Sequence, residues 1–189
     1  MTDVLTHLTA LYAQTDDPWN FDHSPYEQGK FAATRAALTR PHYPTALEVG
    51  CGNGALAQHL APLCDAYVGM DAIDRAVVAA RNRVPGATFV TGVYPCALPI
   101  TRPDLVVLSE VLYFLTPDTI ARLAGDLVAQ APGAEVVCVT YLGDTAQALQ
   151  GHAALDLFRT AAAPALRLRE VAATALYRID RGTVGGDPA

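Results

Sequence analysis

The stretch Leu47-Glu48-Val49-Gly50-Cys51-Gly52-Asn53-Gly54 constrains this chain more than any other. A short apolar run delivers three alternating glycines into a segment of helical character. Without Cβ atoms the backbone there can turn tightly and come close to a ligand, while the amides that open the helix point at it. The next apolar run, Tyr67-Val68-Gly69-Met70-Asp71, closes on an acid. In open α/β sheets that position faces the crevice, where a carboxylate can accept from both hydroxyls of a ribose. Gly50 to Ala55 also satisfies the G-x-G-x-x-A form of a dinucleotide fingerprint. The turn alone therefore leaves open a nicotinamide-dependent oxidoreductase, another nucleoside-binding protein and a tight turn with no ligand.

The rest of the chain sets that turn in an alternation of strands and helices. Val4, Leu5, Leu8, Leu11 and Tyr12 share one face of a first helix, which Asp16-Asp17-Pro18 ends. A second helix is predicted from Tyr26 to Leu38, stopped before Pro41. Strands follow at 45–49, 66–70, 87–91, 105–108 and 135–140. Helices are predicted at 53–60, at 74–82, after the Thr116-Pro117-Asp118 start, and near 152–162. Leu166–Val171 and Thr174–Ile179 are two further strand-like runs, too close together for a crossover helix, so they form an antiparallel hairpin. The fold class is α/β, a single doubly wound Rossmann-like domain. Its mostly parallel seven-stranded sheet ends in the hairpin and carries N-terminal lid helices. Residues 1–40 read as helical lid and substrate cap, 41–181 as the α/β core and 182–189 as a frayed tail.

Composition narrows the partners. A net charge of −6, with no Lys/Arg cluster beyond Arg81-Asn82-Arg83, argues against nucleic acid. The one long apolar stretch, Leu105 to Leu115, is broken by Ser109 and Glu110 and is too short to span a bilayer. The amino terminus lacks the basic and apolar regions of a signal peptide, so no membrane association and a cytoplasmic location are expected. Cys51, Cys64, Cys96 and Cys138 are irregularly spaced and frame neither disulfides nor a metal site. The oligomeric state is left open.

Glu48, two residues before the first glycine, makes the turn E-x-G-x-G-x-G, which resembles the first motif of class I S-adenosylmethionine-dependent methyltransferases. Two helices before the first strand and no substrate domain after the sheet also disfavour a dehydrogenase. Asp17-Pro18-Trp19-Asn20-Phe21 with Ser24-Pro25-Tyr26-Glu27, Ser109-Glu110-Val111-Leu112-Tyr113-Phe114-Leu115, and Gly151-His152 resemble segments of the nodulation protein S-like branch, from about Asp16 to Ile179. The resemblance implies S-adenosyl-L-methionine as cofactor and a small-molecule acceptor. In the nodulation members the acceptor is the deacetylated glucosamine end of a chitin-like oligosaccharide, so N-methylation of an amino sugar is expected. A small-molecule O-methyltransferase and a binding module without catalysis are the alternatives. One departure stands out. Where the branch carries an Asp after the third strand to hold adenine, this chain has Gly92-Val93-Tyr94, leaving that contact to the backbone.

On these grounds the cofactor is expected to meet Gly50, Cys51, Gly52 and Gly54 in the turn, Glu48 before it, Asp71 and Ala72 after the second strand, Gly92 and Val93 after the third, and Ser109 after the fourth. Trp19 is expected either in the lid over the cofactor or as a core anchor. Tyr26 and Lys30, four apart on one helix face, are expected beside the methionine carboxylate, with a solvated lysine as the plain alternative. Glu110 and Tyr113 follow the end of the fourth strand, where ligands gather, and are the expected catalytic residues. His152 is the candidate proton acceptor, because its ordinary pKa lies near neutrality. No metal is expected.

Overall fold

Residues 2–186 are described by a computed structural model, in which the predicted alternation is realised as one seven-stranded sheet. Two helices come first, α1 (Thr2–Gln14) and α2 (Pro25–Ala36). Then follow β1 (Tyr43–Val49), α3 (Ala55–Leu60), β2 (Cys64–Asp71), α4 (Asp74–Arg83), β3 (Thr88–Thr91) and β4 (Leu105–Ser109). The chain continues through α5 (Pro117–Gln130), β5 (Glu135–Tyr141), α6 (Gly151–Ala162), β6 (Arg169–Ala173) and β7 (Tyr177–Thr183). The strand order is β3-β2-β1-β4-β5-β7-β6. The first five strands are parallel, and β7 runs antiparallel between β5 and β6.

Both faces of the sheet are covered, so the strands are apolar throughout and not merely on alternate residues. Leu47, Val106, Leu108, Val136 and Cys138 point to one face, under Ile120, Leu123 and Leu127 of α5 and Leu155 and Phe158 of α6. Ala46, Tyr67, Leu105, Val107, Val137 and Ile179 point to the other, under Phe31 of α2, Leu56 of α3 and Val77 of α4. Helix α1 belongs to neither core. Its Leu5, Leu8 and Tyr12 close a small separate cluster with Ala72, Ile73 and Ala76 at the start of α4.

Three expectations are corrected. The hairpin lies about three residues further along than predicted, because β7 pairs with β5 as far as Glu135↔Thr183. Leu166 and Leu168, expected within a strand, fill the core from the segment leading into it. The tail is not frayed from Gly182: Gly182 and Thr183 are in β7, Val184 is buried, and the Val184 amide donates to the Ala134 carbonyl. Residues 187–189 of that expected tail lie outside the described residues. Among the described residues no helix is long and apolar enough to cross a membrane.

Candidate active site

The order of the strands reverses at β1, which sits between β2 and β4, so a crevice opens where the ends of these strands diverge. Here the chain forms a cavity of about 490 Å³, a size suited to a nucleoside-sized ligand with room beside it. Gly50, Cys51 and Gly52 form its floor. Gly50 and Gly52 have φ of +80° and +50°, a left-handed backbone that a side chain disfavours. A Cβ on Gly52 would also stand 3.1 Å from the Tyr12 hydroxyl. The amide of Gly52 donates to Asp71 Oδ2 and that of Ile73 to Oδ1, both at 2.9 Å. These bonds fix the carboxylate plane and leave each oxygen a further lone pair for a diol. Burial pushes the Asp71 carboxyl above the usual carboxylate range, and the backbone amides oppose it.

Glu48 ends β1 beneath this floor, almost fully buried, and accepts from the Tyr67 hydroxyl at 2.8 Å. Burial pushes its carboxyl up to about 8, against the Tyr67 hydrogen bond and with the help of the Asp71 charge. Without a ligand Glu48 is therefore mostly neutral at pH 7.

The two ends of the cavity differ chemically. One is an apolar slot between α1 and the strand ends, made by Leu5, Leu8, Ala72, Ile73 and Val93 beside Gly92. The side chain of Tyr94 gives no polar group to that slot, because its hydroxyl donates to Asp126 at 2.6 Å. The other end is acidic and aromatic, with Tyr26 and Glu27 from α2, Glu110 and Tyr113 after β4, and Tyr141 at the end of β5. Glu110 takes φ of +54°, a costly conformation for a glutamate, and its amide donates to the Val139 carbonyl. Ser109 lines the cavity just before it. Trp19 also lines the cavity, two-fifths exposed, edge-on to Tyr12 and stacked on Phe21. Its loop is tied to the glycine turn by Asn53, whose side-chain amide donates to the Asp16 carbonyl at 2.8 Å.

Thirteen of the sixteen expected site residues thus meet in one cavity, and Lys30, Gly54 and His152 do not line it. Lys30 is neither solvated nor free for a carboxylate ligand. The residue is 1 % exposed, and its ammonium stands 2.7 Å from both Glu110 Oε2 and Glu27 Oε2, behind the acidic end. Gly54 serves packing, since a Cβ there would meet the Ala80 backbone of α4 at 3.0 Å. His152 is exposed: the inward face of α6 is Gly151, Ala154, Leu155 and Phe158, and this phase turns residue 152 outward. Sequence reasoning missed Tyr12 and Glu27. The signal for Glu27 was its place one helical turn before the sole lysine, on the same face.

Among the described residues, Tyr12 Oη and Glu110 Oε1 are buried without a hydrogen-bond partner, and Glu27 Oε2 is ion-paired with Lys30 at 2.7 Å. Such groups are costly unless a ligand or water completes them. Together with the glycine floor and the diol-ready Asp71, they fit a polar nucleoside ligand with a charged tail. Among the described residues no cluster of His, Cys, Asp and Glu could hold a metal ion.

Known proteins agree with this architecture. The chain is 33% identical over 128 residues to nodulation protein S of Rhizobium tropici, covering 65% of this chain and 54% of that protein. It is 30% identical over 122 residues to that of Sinorhizobium fredii, covering 62% of this chain and 56% of the relative. The matches thus span about half the length of these curated relatives. The fold superimposes on the N-methyltransferase NodS of Bradyrhizobium japonicum WM9, solved with S-adenosyl-L-homocysteine, with a TM-score of 0.83 at 22% identity, over 97% of this chain and 99% of that one. The sequence model described as Nodulation protein S (NodS) matches residues 4–130, two thirds of the chain, and this chain belongs to that family.

Proposed function

We propose that this chain binds S-adenosylmethionine and transfers its methyl group to the nitrogen of a small amine, with an amino sugar as the leading acceptor. The observation that carries the reading is the two-ended cavity, in which a nucleoside cradle opens onto an acidic, aromatic pocket with an unsatisfied Glu110 oxygen. Asp71 would accept from the ribose diol, the Gly50–Gly52 backbone would pass under the tail, and Leu5, Leu8 and Val93 would sandwich the base. Adenine recognition by side-chain acid is then replaced by apolar contact and backbone groups. The bound cofactor supplies a methyl group already activated on a sulfonium.

What remains for the protein is alignment, exclusion of water and management of one proton. Glu110 and Tyr113 stand at the end of β4, beside the crevice, and offer oxygens to an ammonium or its neighbouring hydroxyls. The two carboxylates around Lys30 leave one surplus negative charge, which a cationic acceptor neutralises. Trp19, Tyr26 and Tyr141 line the cavity as aromatic partners for a sugar's apolar side. The description of the Bradyrhizobium japonicum NodS structure as an N-methyltransferase supports an amine over a hydroxyl.

Two measurements test the reading together. Calorimetry with S-adenosylhomocysteine should show binding at least about tenfold weaker for Asp71→Ala, since charge-assisted hydrogen bonds contribute about 1.5–3 kcal/mol each. Labelled methyl transfer to glucosamine-type amines, their N-acetylated forms and simple phenols should mark the free amines alone. Methylation of the acetylated or phenolic compounds, with the amines inert, would refute the acceptor assignment.

A further inference from the structure

Glu27 opens α2 in the sequence Ser24-Pro25-Tyr26-Glu27, the spacing of a capping box, in which the glutamate normally reaches back to the amide of the cap residue. Half of the box is present, since the Ser24 hydroxyl accepts from the Glu27 amide. The other half is not. The Ser24 amide donates instead to the Asn20 carbonyl at 2.9 Å. The Glu27 carboxylate is thereby released from its structural duty and turned into the acidic end of the cavity, 8 % exposed.

It shares Lys30 with Glu110. The ammonium stands 2.7 Å from both carboxylates: it donates to Glu110 Oε2, eighty positions away in the chain, and pairs with Glu27 Oε2 one turn back along α2. One ammonium is thus shared between two carboxylates, which leaves a surplus negative charge at this end of the cavity. We propose that these two acids divide the work: Glu110 orients the acceptor's ammonium, and Glu27 removes the proton whose loss makes its nitrogen nucleophilic. The inference rests on the amine reading given above.

The neighbours of Glu27 favour that role. Within α2 it faces Lys30 and Tyr26; from the preceding loop Asp17, and from beyond β4 Glu110 and Tyr113. Burial, opposed by Lys30 and aided by the charges of Glu110 and Asp17, raises its pKa above the ordinary glutamate value, toward the range where a base works near neutral pH. Tyr26 and Tyr113 are pushed upward by burial first and by the two glutamates second, so both stay protonated and neither serves as the base. His152, on the exposed face of α6, is out of reach.

The step balances as follows. A primary ammonium docks at Glu110, and one N–H bond breaks as its proton forms an O–H bond on Glu27. The nitrogen lone pair then forms the new N–C bond while the C–S bond of the donor breaks, its electron pair remaining on sulfur. The secondary ammonium leaves, and Glu27 returns its proton to water.

Glu27→Gln tests the assignment, measured as kcat/KM against pH with an amine acceptor. At pH 7 the variant should lose about 10²-fold, the lower range for general base catalysis. Its rate should keep rising with pH and converge on that of the unaltered enzyme above the amine's own pKa, where no proton need be removed. Affinity for S-adenosylhomocysteine should stay within about threefold, and Glu27→Asp, which keeps a carboxylate, should keep the shape of the unaltered pH profile at lower rate. A deficit of the same size at every pH, or no deficit, would overturn the role of Glu27 while leaving the amine reading standing. An unaltered enzyme that binds S-adenosylhomocysteine yet methylates no amine would overturn the amine reading, and this inference with it. Should the Gln variant fail to fold, a Glu27→Asp profile without the acid limb of the unaltered enzyme refutes the base by itself.

Discussion

At the scale of single residues, the site is built from acids whose surroundings pull them apart. Asp71 is held by amides, Glu110 by an ammonium, and Glu48 by one phenol in an otherwise apolar place. Glu48 thus has a consequence for stability. Its folded pKa of about 8 lies above the unfolded value of about 4.3, so the folded state holds more protons between those limits. Stability from this group is whole below about pH 4 and is lost as pH rises through 8. Glu48→Gln removes the ionisation and can still accept from Tyr67. Without ligand, its Tm should match the parent near pH 4 and exceed it at pH 8 by on the order of 2–4 °C for each kcal/mol recovered. An offset independent of pH would show that Glu48 is ionised in the folded protein.

Residues written into a local pattern were legible beforehand, and those defined by tertiary contact were not. The glycine turn and Asp71 could be placed because strand, turn and helix follow one another within a few residues. Lys30 could not, because its meaning comes from Glu110, eighty positions away. His152 misled through proximity to a motif, although the period of Ala154, Leu155 and Phe158 already turned it outward.

At the scale of elements, α1 differs from the other helices. It is joined to the body by Leu5, Leu8 and Tyr12 and by Arg75, which donates to the Ala13 carbonyl at 3.0 Å and to Asp16. Val4, Leu5, Leu8 and Tyr12 of its apolar face line the cavity, and a nucleoside there would supply further contacts. Hydrogen exchange should report this directly. Saturating S-adenosylhomocysteine should slow the amides of α1 by about tenfold or more, with those of α5, buried against the sheet, changed far less. Equal exchange with and without ligand would remove α1 from the cofactor site. The elements themselves were mostly readable from periodicity. The hairpin was displaced because Asp180 and Arg181 look like the end of a strand, yet Asp180 is fully buried and accepts from Arg178 at 2.6 Å. Charge marked a strand end only until its partner, two residues away on the same face, was known.

For the whole molecule, the doubly wound topology was legible from the alternation of runs, because the crossover rule leaves few ways to arrange them. The net charge of −6 adds a long-range field to the local acidity of the acceptor pocket. A cationic amine should feel that field and a zwitterionic cofactor product should not. Raising salt from about 20 to 500 mM, which shortens the Debye length several-fold, should increase KM for the amine by about threefold or more, with S-adenosylhomocysteine affinity nearly constant. Equal salt dependence for both ligands would mean that the acceptor binds uncharged.

The insertion of β7 between β5 and β6 also bears on the birth of the molecule. When Tyr141 has been synthesised, all five parallel strands are present, and β5 can dock on β4. Its outer edge, Glu135-Val136-Val137-Cys138-Val139-Thr140-Tyr141, then stands open until Tyr177–Thr183 arrives. A β-branched apolar edge left waiting on a nascent chain is a template for pairing with a neighbour. Ribosome-bound chains halted between α6 and β7 should be the species that recruits chaperones, and the last strand to be made is the one that seals the sheet.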